Sequence, residues 1–263
     1  MELKTLQWNI GGGRLRDLEA NPTAFFSYAH GEENLEAIAE IIKMAEVDIV
    51  TFQETHAKGE RVQAKQLSEL TGLVYYVNDV YDKSHLETGQ ELGQAILSRF
   101  PIKSHRFEFF KNPGLEMTAP TGEAWKMHNK GVTTVELDVK GVSLEFKTLH
   151  VFPYRKFGSH ALSDEQQVSV SRESIDRLLC SGADRYVVQG DFNYDDKSLR
   201  TFLPALFEEG IKEVLQKEPT TPKGRRYDHV LYRGLEVVSS YVITDVLTDH
   251  FPIASVFHIR CEA

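Results

Sequence analysis

Short apolar runs bounded by glycine or by polar residues recur along the chain, a pattern that is typical of buried β-strands. Such runs cover residues 3–10, 47–52, 73–77, 93–97, 132–139, 142–149, 186–190, 227–232, 235–243 and 253–259. Stretches that predict helices begin at Asn34 and cover residues 59–70, 164–179 and 198–209. We therefore expect a mixed α/β fold. Neither an internal repeat nor a linker rich in Pro or Gly divides the chain, so one domain over residues 1–263 is the simplest expectation.

Two dipeptides that favour tight turns predict β-hairpins. Lys140-Gly141 separates the apolar runs at 132–139 and 142–149. Arg233-Gly234 separates the later runs that end at residue 232 and begin at residue 235. Because glycine adopts the positive φ that hairpin turns need, each dipeptide is expected to join neighbouring antiparallel strands.

Residues 111–130 show neither helical nor strand periodicity, and turn formers such as Pro120 interrupt them. A loop of this length without secondary structure is often functional in a compact domain. In that case Trp125, Lys126 and His128 would clamp a substrate. The alternative is a surface insertion in which these side chains are simply exposed.

The run at 186–190 ends in Gly190, and Asp191 and Asn193 follow it two positions apart. We expect the strand to stop at this glycine, where the chain can turn. Residues i and i+2 of an extended segment point the same way, so a carboxylate and an amide would face one spot while Phe192 turns inward. Such a pair suits a hard cation and a phosphate oxygen. Taken alone, the same residues also fit an ordinary Asp/Asn turn.

Polar side chains capable of catalysis or metal binding gather where the predicted strands end. These residues are Asn9, Gln53, Glu54, His150, Asp191, Asn193, Asp249 and His250. Asp228 differs, because it lies where a strand begins. Rigid strand ends hold functional groups in fixed positions, so the repeated pattern predicts one active site rather than scattered turns.

The net charge of −9 narrows the range of functions. It opposes non-specific attraction to a polyanion, so a protein that coats nucleic acid is disfavoured. It does not exclude a phosphate substrate, since acidic groups neutralised by divalent cations present a positive face to it. A metal-dependent enzyme therefore remains compatible with the composition.

The remaining composition indicates a protein of a reducing compartment. Cys180 and Cys261 have no metal-binding spacing, and no apolar run approaches the ~18 residues that a membrane helix needs. The first residues also lack the basic, apolar and small-residue regions of a secretory signal. We expect a cytoplasmic protein without an obligate protein partner.

Six short motifs, in their order along the chain, resemble the endonuclease/exonuclease/phosphatase superfamily, whose fold is that of deoxyribonuclease I. They are Gln7-Trp8-Asn9, Phe52-Gln53-Glu54, Ala95-Ile96-Leu97-Ser98-Arg99-Phe100-Pro101, Leu149-His150, Gly190-Asp191-Phe192-Asn193 and Thr248-Asp249-His250-Phe251-Pro252. The superfamily includes abasic-site endonucleases, inositol polyphosphate phosphatases, neutral sphingomyelinases and tyrosyl-DNA phosphodiesterases. The resemblance implies a four-layered α/β sandwich, in which two packed mixed β-sheets are flanked by helices.

The resemblance also implies hydrolysis of a phosphoester with Mg²⁺ or Mn²⁺. Glu54 would be the principal metal ligand, with Asn9 and Asp249 nearby. Hard carboxylate and amide oxygens favour these two ions over softer metals. Some abasic-site endonucleases carry a further aspartate ligand two residues after the first Asn, but Gly11 occupies that position here.

The resemblance gives the other site residues roles at the phosphate. Asp191 would orient or deprotonate the attacking water, and Asn193 would hold a phosphate oxygen. His250, oriented by Asp228, would stabilise the pentacovalent phosphorane, and His150 would be a second imidazole facing the phosphate. Without the resemblance, Asp228 and His150 are also compatible with structural roles. For His150 no carboxylate partner is evident; Glu91 lies in roughly the right region, but a solvated loop acid is the favoured interpretation.

Three functions remain open at this point. A nucleic-acid phosphodiesterase, acting as a nuclease or on a DNA end or adduct, is slightly favoured by analogy with small members of the superfamily. The negative charge lacks the basic footprint of an enzyme that binds a DNA groove. A phosphatase or phosphodiesterase acting on a small phosphorylated molecule or a phospholipid head group is the alternative. The basic residues Lys223, Arg225 and Arg226 lie just before Asp228 and would either meet a phosphate or form a solvated turn. A catalytically silent scaffold is the third.

Overall fold

The structure, a computed structural model, describes residues 1–15, 32–118 and 122–260. Pro120 and Cys261 lie outside these residues. Where the structure describes the chain, it contains no helix that is both long and apolar enough to cross a membrane.

The described residues form many strands and a few short helices. The strands are β1 Glu2–Asn9, β2 Arg14–Leu15, β3 Glu32–Glu33, β4 Ile49–Lys58, β5 Arg61–Val62, β6 Tyr75–Lys83, β7 Glu91–Ser98, β8 Ile102–Phe109, β9 Glu116–Thr118, β10 Ala124–Lys126, β11 Gly131–Val139, β12 Val142–His150, β13 Tyr186–Asp191, β14 Lys212–Glu213, β15 Asp228–Arg233, β16 Glu236–Val242 and β17 Ile253–His258. The helices are α1 Leu35–Met44, α2 Gln63–Thr71, α3 Gln166–Leu179, α4 Leu199–Phe202 and α5 Pro204–Glu208, with a 3₁₀ turn at Tyr154–Phe157. As expected, Asn34 begins α1, because its side chain accepts a hydrogen bond from the Ala37 amide.

Two large mixed sheets share one pattern of strand directions. Sheet I has the order β16-β17-β1-β4-β7-β6, with β5 paired to β4, and sheet II has the order β14-β15-β13-β12-β11-β8. In each sheet only the central pair is parallel, β1 with β4 and β12 with β13. A parallel pair needs a crossover connection, and α1 and α3 lie in these two crossovers.

The two sheets and the helices form four layers with three apolar cores. Helices α1 and α2 pack on the outer face of sheet I, where Trp8 and Phe52 are fully buried. Helices α3 to α5 cover the outer face of sheet II around Val188. Leu3 and Phe146 belong to the third core, between the sheets. This arrangement confirms the expected four-layered α/β sandwich.

A layer of buried polar side chains links the two sheets beside the third core. Gln189 of β13 donates hydrogen bonds to the Thr51 hydroxyl and to the Leu6 carbonyl, both at 2.9 Å, and accepts one from Thr5 at 3.2 Å. Further along the interface, Gln53 donates to Thr148 at 2.8 Å. These side chains are 0% exposed, so their donors must find acceptors inside the protein, although Gln53 Oε1 accepts no hydrogen bond from the described residues. The geometry of the layer therefore fixes how β1, β4 and β13 sit against one another.

The hairpin expected at Arg233-Gly234 is wrong. Strand β15 pairs with β13 and β14 in sheet II, whereas β16 pairs with β17 in sheet I. Gly234 has a φ of +70°, and a Cβ there would lie 2.2 Å from the Asp184 carbonyl oxygen. The chain thus turns tightly from one sheet to the other at this glycine. The hairpin at Lys140-Gly141 is confirmed, since Val139 pairs with Val142.

Three further expectations need correction. Strand β13 does not stop at Gly190 but continues to Asp191, because a Cβ at Gly190 would lie 2.2 Å from the Leu149 carbonyl oxygen of β12 and only glycine permits that approach. The helix expected at 198–209 is two short helices, since Pro204 cannot donate the hydrogen bond that would continue α4. The loop at 111–130 contains the two-stranded ribbon β9–β10.

We predict that Gln189→Leu lowers the free energy of unfolding by about 1–3 kcal/mol, because it leaves buried partners of the amide without hydrogen bonds. Denaturant unfolding measures this change. The matched control is Gln167→Leu on the exposed face of α3, which should stay within about 0.5 kcal/mol of the unmodified protein. Equal stability of the two variants would show that the polar layer does not hold the sheets together.

Candidate active site

The sheet register brings the predicted polar residues to one edge of the sandwich. Asn9 at the end of β1 lies level with Gln53 of the parallel strand β4. In sheet II, Asp191 lies between His150 and Asp228 on the two neighbouring strands. The residues that were scattered along the chain therefore meet in the way that the sequence predicts.

Asp191 lies at the centre of the group. It is 1% exposed, and its Oδ2 accepts a hydrogen bond from Asn9 Nδ2 at 3.0 Å. The same oxygen lies 3.5 Å from His150 Nε2 and 3.7 Å from His250 Nε2. Burial raises the pKa of Asp191 to about 7, with His250 acting against burial and Asp228 adding to it. A carboxylate in this setting exchanges a proton near neutral pH.

Asp228 and His250 form a tight buried pair. The imidazole Nδ1 lies 2.8 Å from Asp228 Oδ2, and Gln7 Nε2 donates to the other carboxylate oxygen at 2.6 Å. Trp8 also donates to the His250 carbonyl at 2.9 Å. Burial alone would lower the pKa of His250, but the Asp228 and Asp191 carboxylates outweigh it and hold the pKa well above its usual value. The ring is therefore an imidazolium whose Nε2–H points toward Asp191.

Glu54 occupies a β-bulge in the middle of β4. Gln53 pairs with Gln94 and Thr55 with Gly93, so Glu54 is the extra residue between them. Its φ is +57°, a conformation that strains a residue with a side chain. The strand thus continues past Glu54 to Lys58 instead of ending at residue 52. The bulge turns the Glu54 side chain toward the site, because a bulge changes the direction of its side chain.

The Glu54 carboxylate suits a hard divalent cation. It is 9% exposed, and no described residue donates a hydrogen bond to it; His150 Nε2 is 3.9 Å away. Burial raises the pKa of Glu54, with Lys130 acting against burial and Asp249 adding to it. An almost buried carboxylate without donors is costly unless a cation neutralises it. Asn9 Oδ1 accepts a single hydrogen bond, from the Gly11 amide at 3.1 Å, and therefore keeps a lone pair.

Asp249 completes the oxygen donors on this side, and Gly11 lies against it. A Cβ at Gly11 would be 3.3 Å from Asp249 Oδ1, and Gly11 has a φ of +50°. A ligand side chain at position 11, as in some abasic-site endonucleases, would be both crowded and strained here. Asp191, Asp228 and His250 form a second group with ligand atoms within 4.8 Å of one another, but hydrogen bonds already occupy those carboxylates.

Asn193 borders a cavity next to the reaction centre. It has a φ of +48°, its amide N–H donates to Asp191 Oδ1 at 2.9 Å, and its side chain donates to the Val151 carbonyl at 3.0 Å. The side-chain nitrogen keeps one further proton for a ligand. The cavity has a volume of about 220 Å³, and its walls include Arg155, Lys156, Tyr227 and His250.

Two of the three basic residues in the segment 223–226 line this cavity, and the third does not. Lys223 and Arg225 line it, whereas Arg226 donates to the Lys217 carbonyl at 2.8 Å. Asp195 holds the Arg225 guanidinium by an ion pair, yet the buried Arg225 Nε has no acceptor. Cationic side chains therefore line the cavity next to Asn193, but two of them, Arg155 and Arg225, are already paired with Asp196 and Asp195.

Residues 111–130 approach the cavity through Trp125, one of the three residues expected to clamp a substrate. Trp125 lies under the Lys156 ammonium, 5.1 Å from ring centre to Nζ. Lys126 is exposed and pairs with Glu116, and His128 packs edge-on against His85 at 5.2 Å. Only Trp125 is thus connected to the cavity, by way of Lys156.

His150 has partners that sequence analysis did not identify. Its Nδ1 lies 2.9 Å from Lys130 Nζ and 3.2 Å from the Tyr81 hydroxyl, whereas Glu91 is exposed in β7. Burial, with Lys130 and His250 adding to it, holds the pKa of His150 well below its usual value. No signal in the sequence pointed to Lys130 or Tyr81, because neither belongs to a motif. Gln7 was inside a motif, but its bond to Asp228 was not foreseen.

We predict that Asp228→Asn lowers the pKa of His250, because it removes the negative charge that favours the imidazolium. The ring then loses its proton at a lower pH. An NMR titration of the imidazole nitrogens measures the shift, with the signals assigned by comparison with His250→Gln. Asp164→Asn, at an exposed position, is the control and should leave the titration unchanged. An unchanged pKa in Asp228→Asn would contradict the assignment of the pair.

Comparisons with known proteins identify the family and support the fold. The sequence model of the Endonuclease/Exonuclease/phosphatase family matches residues 6–250. No curated protein is significantly similar to the chain in sequence. Solved structures share its fold at low identity.

Three such structures span nearly the whole chain. An endonuclease/exonuclease/phosphatase from Beutenbergia cavernae has a TM-score of 0.73 and 18% identity, covering 98% of this chain and 72% of that one. A family protein from Leptotrichia buccalis has a TM-score of 0.64 and 16% identity, covering 98% and 100%. D. rerio TDP2, complexed with a single-strand DNA product, has a TM-score of 0.59 and 14% identity, covering 98% and 99%. The chain belongs to the endonuclease/exonuclease/phosphatase family, whose members are generally hydrolytic phosphoesterases.

Proposed function

We propose that this protein is a cytoplasmic, single-domain phosphodiesterase that depends on Mg²⁺ or Mn²⁺ and acts on a nucleic-acid end. The arrangement around Asp191 carries the proposal. One buried carboxylate with a pKa of about 7 lies 3.5 and 3.7 Å from two imidazoles, beside a Glu54 carboxylate that lacks donors. Free Cys180 fits a reducing compartment.

In the proposed reaction Asp191 acts on the attacking water. Its pKa of about 7 leaves a large fraction deprotonated at neutral pH and able to take the proton of the water. The hydrogen bonds from Asn9 and the Asn193 amide keep the carboxylate in one orientation. Asp191 therefore serves as the general base, or as the group that orients the nucleophile.

The His250–Asp228 pair supplies charge to the phosphorane. The imidazolium Nε2–H is directed to the region beside Asp191, where negative charge develops on the phosphate oxygens. Asn193 offers its free amide proton to one of these oxygens, and His150 offers its Nε2 side to another. Donors that are fixed before the substrate arrives need little reorganisation during the reaction.

Asn9, Glu54 and Asp249 are the residues that would hold the metal. A divalent ion bound there supplies positive charge to the phosphate as a Lewis acid. The residues contribute hard oxygen donors only, which is the preference of Mg²⁺ and Mn²⁺.

The cavity supports a nucleic-acid end more than a duplex. At about 220 Å³ it is too small for a duplex, and the charge of −9 provides no basic groove around it. Lys156 is suited to a phosphate, and Arg155 and Arg225 would meet one in competition with their ion pairs to Asp196 and Asp195. Tyr227 and Trp125, each with a cation over one face of its ring, would stack on a base through the other face. The structural similarity to D. rerio TDP2, whose structure holds a single-strand DNA product, points the same way.

A small phosphorylated molecule is the second candidate. The same small, cation-lined cavity would accept a phosphorylated alcohol or a phospholipid head group without any nucleic-acid surface. A catalytically silent scaffold is disfavoured, because a silent protein has no use for a strained Glu54 or a buried ion pair.

We predict metal-dependent hydrolysis of bis-p-nitrophenyl phosphate with Mg²⁺ or Mn²⁺, and none with EDTA. Asp191→Ala and His250→Ala should each lower turnover by at least ~10²-fold without unfolding the protein. Asp164→Ala, at an exposed position, is the control and should keep full activity. Rates are measured together with those on single-stranded, double-stranded and 5′-adducted DNA and on an inositol phosphate.

The outcomes separate the candidates. Preference for single-stranded or adducted DNA supports the nucleic-acid proposal, and cleavage of the inositol phosphate alone moves the assignment to a phosphatase. Activity close to that of the unmodified protein in Asp191→Ala or His250→Ala would overturn the mechanism. Inactivity on every substrate would leave the catalytically silent scaffold as the remaining candidate function.

A further inference from the structure

Lys130 is a buried lysine directly behind one of the two site imidazoles. It lies just before β11, it is 4% exposed, and its Nζ is 2.9 Å from His150 Nδ1. The same ammonium lies 3.4 Å from the Tyr81 hydroxyl and 4.7 Å from the centre of the Tyr81 ring. Water would solvate the ammonium of an exposed lysine, whereas the Lys130 ammonium contacts the His150 imidazole and the Tyr81 phenol instead.

The chemistry of these groups decides where the proton of His150 lies. An ammonium carries three N–H donors and no acceptor, so His150 Nδ1 must accept its hydrogen bond. A neutral imidazole whose Nδ1 is an acceptor carries its proton on Nε2. Burial lowers the pKa of Lys130 to about 8, with the Glu54 and Asp191 carboxylates acting against burial, and this still leaves the ammonium charged at neutral pH.

The Nε2 side of His150 faces the reaction centre. Nε2 lies 3.5 Å from Asp191 Oδ2 and 3.9 Å from Glu54 Oε1. A proton on Nε2 therefore points at the space between the Asp191 carboxylate, the proposed general base, and the Glu54 carboxylate, the proposed metal ligand. A proton on Nδ1 would instead leave a lone pair there, which would repel a phosphate oxygen.

The two site imidazoles differ because the groups behind them differ. Behind His250 lies the Asp228 carboxylate, which accepts from Nδ1 and favours the imidazolium. Behind His150 lies the Lys130 ammonium, which donates to Nδ1 and favours the neutral ring. His250 is a cationic donor. His150 is a neutral donor, and the positive charge lies on Lys130 behind it.

We propose that Lys130 is a positioning residue that holds His150 in its neutral tautomer with the proton on Nε2, so that this N–H donates to a phosphate oxygen of the substrate. The substrate part of this inference rests on the proposed phosphodiesterase function. Tyr81 supports the arrangement by packing its ring under the ammonium. Lys130 contacts no reacting atom and acts through His150.

The first test reads the tautomer and needs no activity. ¹⁵N NMR of the histidine rings, assigned with His150→Gln, should show His150 protonated on Nε2 with Nδ1 accepting a hydrogen bond. In Lys130→Met the Nδ1 signal should move toward that of an unbonded ring or of the other tautomer. A proton on Nδ1 in the unmodified protein, or an unchanged spectrum in Lys130→Met, would overturn the inference.

The second test measures catalysis on bis-p-nitrophenyl phosphate. Lys130→Met should lower kcat by about 10–100-fold, with a smaller effect on KM, because the lost donor acts on the transition state. Lys130→Arg keeps a cationic donor and should recover part of the rate. The matched control Lys65→Met, at an exposed lysine paired with Glu69, should retain full activity.

Tyr81→Phe keeps the test falsifiable if Lys130→Met is too unstable to purify. It removes only the hydroxyl, so the tautomer should be retained and the loss of kcat should be smaller than in Lys130→Met or His150→Gln. A loss in Tyr81→Phe equal to that in His150→Gln, with the tautomer unchanged, would assign the role to the phenol and overturn the inference for Lys130. Inactivity of the unmodified protein would refute the proposed function, while the tautomer measurement would still decide the state of His150.

Discussion

One directional chain of hydrogen bonds joins the two sheets to the site. It runs from Thr5 through Gln189, Thr51 and Gln7 to Asp228, which also accepts a hydrogen bond from His250. Each hydroxyl or amide in it donates toward the site, so the Asp228 carboxylate receives Gln7 on one oxygen and His250 on the other. Inside a buried layer such bonds strengthen one another, and any break leaves an unsatisfied group. The position of the imidazolium therefore depends on how the sheets pack.

The carboxylates on the two sides of Asp191 differ in whether their negative charge is neutralised. On one side a carboxylate pairs with His250, and that pair is complete without any ligand. On the other side the strained, nearly buried Glu54 has no hydrogen-bond donor among the described residues, and the positive charge near it comes from Lys130, His250 and Lys156 without an ion pair to any of them. This asymmetry explains why a cation is expected at Glu54 rather than at Asp228. One half of the site, the Asp228–His250 pair, is thus complete without a ligand, whereas the other half, around Glu54, needs a cation.

The sequence predicted the site better than it predicted the connections. Asp191 was found because it directly follows an apolar run, and His250 because it lies in a motif directly before the last apolar run. The sheet change at Gly234 was missed, since a local turn signal does not tell which strand lies alongside. Lys130 was missed because its role depends on His150, twenty residues away and on the next strand. Strand β8 was missed because its side chains are mostly exposed at the edge of sheet II, so no apolar run marks it.

The most direct test of this account is the position of the metal. Anomalous scattering from crystals grown with Mn²⁺ locates the ion without reference to activity. We predict a peak about 2.1 Å from a Glu54 carboxylate oxygen, with Asn9 and Asp249 beside it and the Asp228–His250 bond intact. A peak between Asp228 and His250, or none near Glu54, would contradict it.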